Sequence, residues 1–306
     1  MRFITILALP WLLAAAAPCS LGPDRDRGQI LPGRTSIRAV AIGDFGDPGN
    51  KAIQQEIAAH IAANGKFDFG ITVGDNFYPS GVRDANDPKW TSIWAEDYGK
   101  LGAPFFAALG NHDYRGNEAA QIGYGKANWN MPCKYYSFAA GPVRFYALDT
   151  DEGHTGVLSW LIPRRLGHEQ LDWLTTQLGR HTEKWKVVYG HHPAYTVGMH
   201  RGQRRVKEMR ERVVPLMKGV NAYIAGHDHD LQYRMVNGMH HPLVGGGGRL
   251  NDGRRDKARP EAGAFYQPFY GYLVLNADES GLKFEIVGGE KPGSFKTLLT
   301  APEAQK

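Results

Sequence analysis

Ala222-Tyr-Ile-Ala-Gly-His-Asp-His-Asp230 is an apolar run that ends in a glycine and then presents two histidines, His227 and His229, one residue apart. Such a run reads as a buried strand, and Gly226 lets the chain turn sharply at its end. Imidazoles delivered there can each take a metal through one ring nitrogen. Two histidines alone are a weak signal and read first as a loop with solvated or packed imidazoles. The construction recurs, however, in four other places: RAVAIGDFGD with Asp44, FDFGITVGDNFY with Asp75, Asn76 and Tyr78, APFFAALGNHD with Asn111 and His112, and KVVYGHHP with His191 and His192.

In an α/β protein, parallel strands deliver their carboxyl ends to one edge of the sheet, where ligands bind. Five such ends should converge. Two carboxylates, a carboxamide, a phenol and at least three imidazoles exceed the donors of one tetrahedral zinc site and suffice for two metals. Hard oxygen and borderline nitrogen donors without thiolate suit iron, manganese or zinc better than copper(I) or an iron–sulfur cluster. Tyr78 is diagnostic. A phenol with an ordinary pKa of about 10 ionises at neutral pH only beside strong positive charge, which a ferric ion supplies. Standing alone, Tyr78 would read as a packed aromatic.

The 306 residues are 42% apolar and 22% charged, an ordinary globular composition with ample length for a core. Phe3 to Ala17 follow a single basic residue, Arg2, and form an apolar stretch too short to cross a bilayer comfortably. Residues 1–18 therefore read as a secretory signal, 19–35 as a linker or disordered arm, and 36–300 as one catalytic domain. No later run approaches the length of a membrane span, so the expected product is exported, periplasmic or extracellular, with no integral membrane segment. Cys19 and Cys133 can pair in an oxidising compartment, although sequence does not bring them together, and a lipid on Cys19 is the competing reading. The formal net charge of +5 favours anionic substrates without identifying them. Arg201 to Arg212 fits either a solvated helix face or a field attracting phosphate esters, and without interleaved aromatics it does not suggest nucleic acid.

Along the chain, Ile53, Ile57 and Ile61 predict a helix capped at Asn50 and stopped at Asn64-Gly65, which closes a βαβ unit with the strand leading to Asp75. Trp90 to Tyr98 reads as helical and Arg115 to Pro132 as a long loop. Tyr135–Phe138 and Val143–Leu148 read as strands opening a second sheet, and Leu171, Leu174 and Leu178 mark another helix. Asp151 to Gly167 is an irregular insertion expected to form part of a lid. His60 reads as structural or surface, and His240 and His241 remain unassigned.

GDFG at 43–46, GDNFY at 74–78, GNHD at 110–113, VYGH at 188–191 and GHDH at 226–229, in this order, resemble the purple acid phosphatases of the metallophosphoesterase superfamily, in their small, tartrate-resistant form. The resemblance implies a four-layer αββα sandwich of two mixed β-sheets. It implies a ferric site of Asp44, Tyr78 and His229, a divalent site (iron, zinc or manganese) of Asn111, His191 and His227, and Asp75 bridging the two. His112 and His200 match histidines that contact phosphate or protonate the leaving group. His192 stands where small forms carry an aromatic residue, so no ligand role passes to it. The implied reaction is hydrolysis of phosphate monoesters by a metal-activated hydroxide. The alternatives are a nucleotidase or phosphodiesterase using two manganese or zinc ions, and a non-catalytic phosphate-binding protein. Oligomeric state stays open.

Overall fold

A computed structural model describes residues 19–152, 165–251 and 261–301. The expected signal at 1–18 and most of the expected lid, residues 153–164, lie outside the described residues. The chain runs through β1 (Asp26–Gln29), β2 (Ser36–Ile42), α1 (Lys51–Ala63), β3 (Phe69–Val73), β4 (Phe105–Ala108), β5 (Trp129–Asn130), β6 (Tyr136–Ala140) and β7 (Val143–Ala147). It continues through α2 (His168–Arg180), β8 (Trp185–Tyr189), α3 (Arg204–Glu208), β9 (Ala222–Ile224), β10 (Leu231–Val236), β11 (Met239–Val244), β12 (Phe265–Gln267), β13 (Tyr270–Asp278), β14 (Leu282–Gly289) and β15 (Lys296–Ala301). One sheet has the order β15-β14-β13-β2-β3-β4-β5 and the other β1-β6-β7-β8-β9-β11-β10-β12. Both are mixed: β2, β3, β4 and β5 run parallel, as do β7, β8 and β9, while β13 to β15 and the β10–β11 pair are antiparallel.

A period of two along the strands assigns each side chain to a layer. Val143, Phe145 and Ala147 of β7, Val187 and Tyr189 of β8, and Ala222 and Ile224 of β9 enter the core between the sheets. The intervening Tyr146, Val188 and Tyr223 face a separate cluster with Leu171, Leu174 and Leu178 of α2. Face-to-face packing is visible where Phe69 and Phe106 of one sheet meet Phe138 and Phe145 of the other, with ring centroids 4.1 Å apart for Phe106 and Phe138 and 5.2 Å for Phe69 and Phe145. Burying each such ring contributes about 1.5–3 kcal/mol. On the far side, α1 buries Ile53, Ile57 and Ile61, and His60 Nδ1 lies 2.8 Å from the Tyr272 hydroxyl of β13. The result is a four-layer αββα sandwich, and His60 is structural.

The arm at 19–35 is not the disordered linker that its glycine, proline and charge predict. Cys19 forms a disulfide with Cys133, which leaves its sulfur no place for a lipid. Arg25 lies over the Tyr135 ring at 4.1 Å, Trp173 Nε1 donates to Asp24 O at 2.8 Å, and β1 adds an edge strand parallel to β6. At α1 the side chain of Asn50 makes no capping bond; Asp47 Oδ1 instead accepts from Gly49 N at 2.9 Å and opens a short turn before the helix.

Candidate metal centre

The parallel strands β2, β3, β4, β8 and β9 end at one edge of the sandwich, and Asp44, Asp75, Asn111, His191 and His227 stand just beyond them. Three of these adopt left-handed backbone: Asp44 at φ 56°, Asp75 at φ 50° and His227 at φ 74°. Each such residue costs of order 1–3 kcal/mol, and strain of this kind collects where function requires it. Close approach requires glycine at two points. A Cβ on Gly226 would collide with Asp44 Oδ2, and one on Gly110 with the Asp75 backbone and carboxylate.

The Tyr78 hydroxyl lies 3.0 Å from Asp44 Oδ1, 2.9 Å from Asp75 Oδ2 and 3.2 Å from His229 Nε2. A second group surrounds His191 Nε2, with Asn111 Oδ1 at 3.2 Å, His227 Nδ1 at 3.1 Å and Asp75 Oδ2 at 3.5 Å. Asp75 Oδ2 belongs to both. All seven predicted side chains are thus brought together, as two clusters sharing one carboxylate oxygen.

Electrostatically the arrangement calls for positive charge. Burial pushes the Asp44 carboxyl up to about 8 despite the nearby His191, with the Asp75 charge adding to the effect. Burial also raises the Tyr78 phenol, helped by Asp44 and Asp75. It depresses His227, with the surrounding imidazoles contributing, and lowers His229 to about 4. Neutral imidazoles and crowded carboxylates are what cations require of their ligands. Donor atoms of Asp44, Asp75 and His191 all lie within 4.8 Å of one another, so these residues fit a metal.

A cleft of about 800 Å³ opens onto this edge, with His112, Arg115, His200, Gln203 and Arg204 among its walls. His112 N donates to Asp75 Oδ1 at 2.7 Å. Its Nδ1 is 2.7 Å from Pro79 O, with Arg115 Nη1 3.3 Å from the same nitrogen, and burial lowers its pKa. His200 Nδ1 is 2.8 Å from Asp228 Oδ1, leaving Nε2 as its second polar atom, and its ring centroid is 4.2 Å from that of His227.

Sequence reasoning missed three supporting residues. Asp228, fully buried inside the GHDH motif, accepts from His200 N at 3.0 Å and from the Thr196 hydroxyl. Asp113 accepts from Gly110 N at 2.8 Å, Gln121 Nε2 at 2.9 Å and Asn76 N at 3.2 Å, tying two of the strand ends together. Gln203 Oε1 lies 2.8 Å from His227 Nε2. The only signal for Asp228 and Asp113 was a carboxylate inside a motif already marked. His192 sits beside the cluster, with Nδ1 3.0 Å from Thr150 Oγ1 and its ring 4.4 Å from that of His227. His240 and His241 lie in β11, away from the cleft walls.

The calcineurin-like phosphoesterase family profile matches residues 37–231. Tartrate-resistant acid phosphatase type 5 of Rattus norvegicus is 33% identical, across 97% of this chain and 95% of its own. Purple acid phosphatase 7 of Arabidopsis thaliana is 30% identical across 81% of each. Among solved structures, GAP50, the anchor in the inner membrane complex of Plasmodium, superposes with a TM-score of 0.74 at 26% identity over 89% of this chain and 90% of that one. A profile match spanning every strand-end motif, joined to relatives aligned over nearly the whole length, makes this chain a calcineurin-like phosphoesterase, a hydrolase of the purple acid phosphatase type.

Proposed function

We propose that the chain is an exported acid phosphatase that hydrolyses phosphate monoesters at a ferric and a divalent ion. The observation that carries this reading is the Tyr78 hydroxyl set between two buried carboxylates and the His229 ring. Asp44, Tyr78 and His229 would hold the ferric ion, Asn111, His191 and His227 the divalent one (iron, zinc or manganese), and Asp75 both. Bound there, the pair would neutralise phosphate oxygens and acidify a water for in-line attack at phosphorus.

The chain's own residues supply the rest. The departing alkoxide needs a proton, and His200, whose Nδ1 lies 2.8 Å from Asp228 Oδ1, can deliver one from Nε2. His112 is less suited: burial, with the neighbouring Arg115 guanidinium adding to it, lowers its proton affinity. Arg115 lies on the cleft wall, where it can face a substrate oxygen. Export is supported by the apolar leader and by the Cys19–Cys133 disulfide, a bond that persists in oxidising compartments. Among the described residues no helix is long and apolar enough to cross a membrane.

Hydrolysis of an aryl phosphate monoester at mildly acidic pH, compared with the corresponding diester, tests the assignment. Preference for the monoester is expected. Preference for the diester would replace this reading with a phosphodiesterase, and absence of turnover by the metal-loaded protein with a non-catalytic binder.

A further inference from the structure

We infer that Gln203 is a positioning residue for the divalent half of the centre, fixing which nitrogen of His227 carries the proton; the inference rests on the ligand assignment proposed above. The His227 ring has two polar faces. Nδ1 points into the cluster, 3.1 Å from His191 Nε2, and Nε2 lies 2.8 Å from Gln203 Oε1. A carbonyl oxygen only accepts, so it keeps the proton on Nε2 and leaves the lone pair on Nδ1, where a metal needs it. His191 is set by the same logic with a backbone partner: Nδ1 is 3.0 Å from Val73 O, and Nε2 faces the cluster.

The start of α3 does not account for glutamine at this position. Gln203 is the residue preceding the helix, with φ −69° and ψ 147°, a place favouring serine, threonine, aspartate or asparagine, and its side chain makes no capping bond. Its backbone is already engaged, N donating to His200 O at 2.8 Å and O accepting from Lys207 N at 3.2 Å. The turn that carries His200 therefore delivers the amide to His227. Gln203 is exposed at the rim of the cleft, so water can partly replace it, and the expected effect sits at the lower end of the 10–100-fold range for such partners.

The test counts ions per chain in zinc-loaded protein under rising chelator, for the parent and for Gln203→Met, Gln203→Glu and His227→Ala. Gln203→Met should lose one of two ions at about tenfold lower chelator. Gln203→Glu, which keeps an acceptor, should behave as the parent, and metal-free melting temperatures should be unchanged for both. If Gln203→Met holds both ions as the parent does while His227→Ala loses one, the Gln203 role is overturned and the ligand assignment stands. Equal losses in Gln203→Met and Gln203→Glu also overturn it, because an acceptor then makes no difference. If His227→Ala keeps both ions, the ligand assignment itself fails.

Discussion

His200 and Gly226 show how individual residues carry the chemistry. His200 Nδ1 lies 2.8 Å from the buried Asp228, and the proton delivery proposed for this residue matters most when the leaving group is a poor one. His200→Ala should slow alkyl phosphates by about 10²–10⁴-fold and activated aryl phosphates much less; equal losses on both, in steady-state kcat, would exclude the acid role. Gly226 acts through space alone. In Gly226→Ala the new methyl meets Asp44 Oδ2, an oxygen already held 2.9 Å from His227 N, and relieving that overlap costs about 1–3 kcal/mol. The expected outcome is loss of bound metal with the fold retained, read by metal analysis beside circular dichroism.

β11 illustrates an element serving stability rather than the reaction. His240 and His241 point to opposite faces: His240 Nδ1 meets the Tyr233 hydroxyl at 2.7 Å, while the His241 ring packs edge-on to Tyr195 at 4.8 Å with neither nitrogen hydrogen-bonded. Burial lowers His240 to about 4 and His241 to about 3, with Arg234 adding to the latter. The unfolded chain takes up these protons near pH 6.5, whereas the native state resists until well below it. Stability from this pair is therefore complete above pH 6.5 and declines as pH falls toward 3. His241→Phe should remove about 1–2 kcal/mol of the stability lost between pH 7 and pH 5, measured by denaturant unfolding at the two pH values; an unchanged loss would contradict this. Strands were the most legible elements. An apolar run, a glycine and a polar donor stand together in sequence, so the five strand ends and their candidate donors were readable before any coordinates, while the choice of seven among them rested on the family resemblance. Gln203 and Asp228 were not, because each matters through a partner, His227 or His200, that is brought close only by the fold. β1 escaped notice for a similar reason: an edge strand of four residues buries too little to leave a pattern, and its place depends on a disulfide spanning 114 positions.

Across the whole molecule, the sandwich holds its metal edge by joining two sheets and one arm. The Cys19–Cys133 bond closes a long loop and fastens the arm beside β6, so Cys133→Ser should lower stability by about 2–4 kcal/mol without altering metal content. Denaturation with and without a reductant checks this, and a parent protein insensitive to reductant would contradict it. The family alignment reaches nearly end to end, so the fold and the hydrolase class follow from the molecule as a whole, while the proposed ferric ion rests on Tyr78. The most direct test of the account is metal analysis of the purified protein together with its visible spectrum. Two ions per chain, one of them iron, with a visible absorption band that disappears in Tyr78→Phe, is the predicted result; a colourless protein without iron, or a band that survives the loss of the phenol, would contradict it.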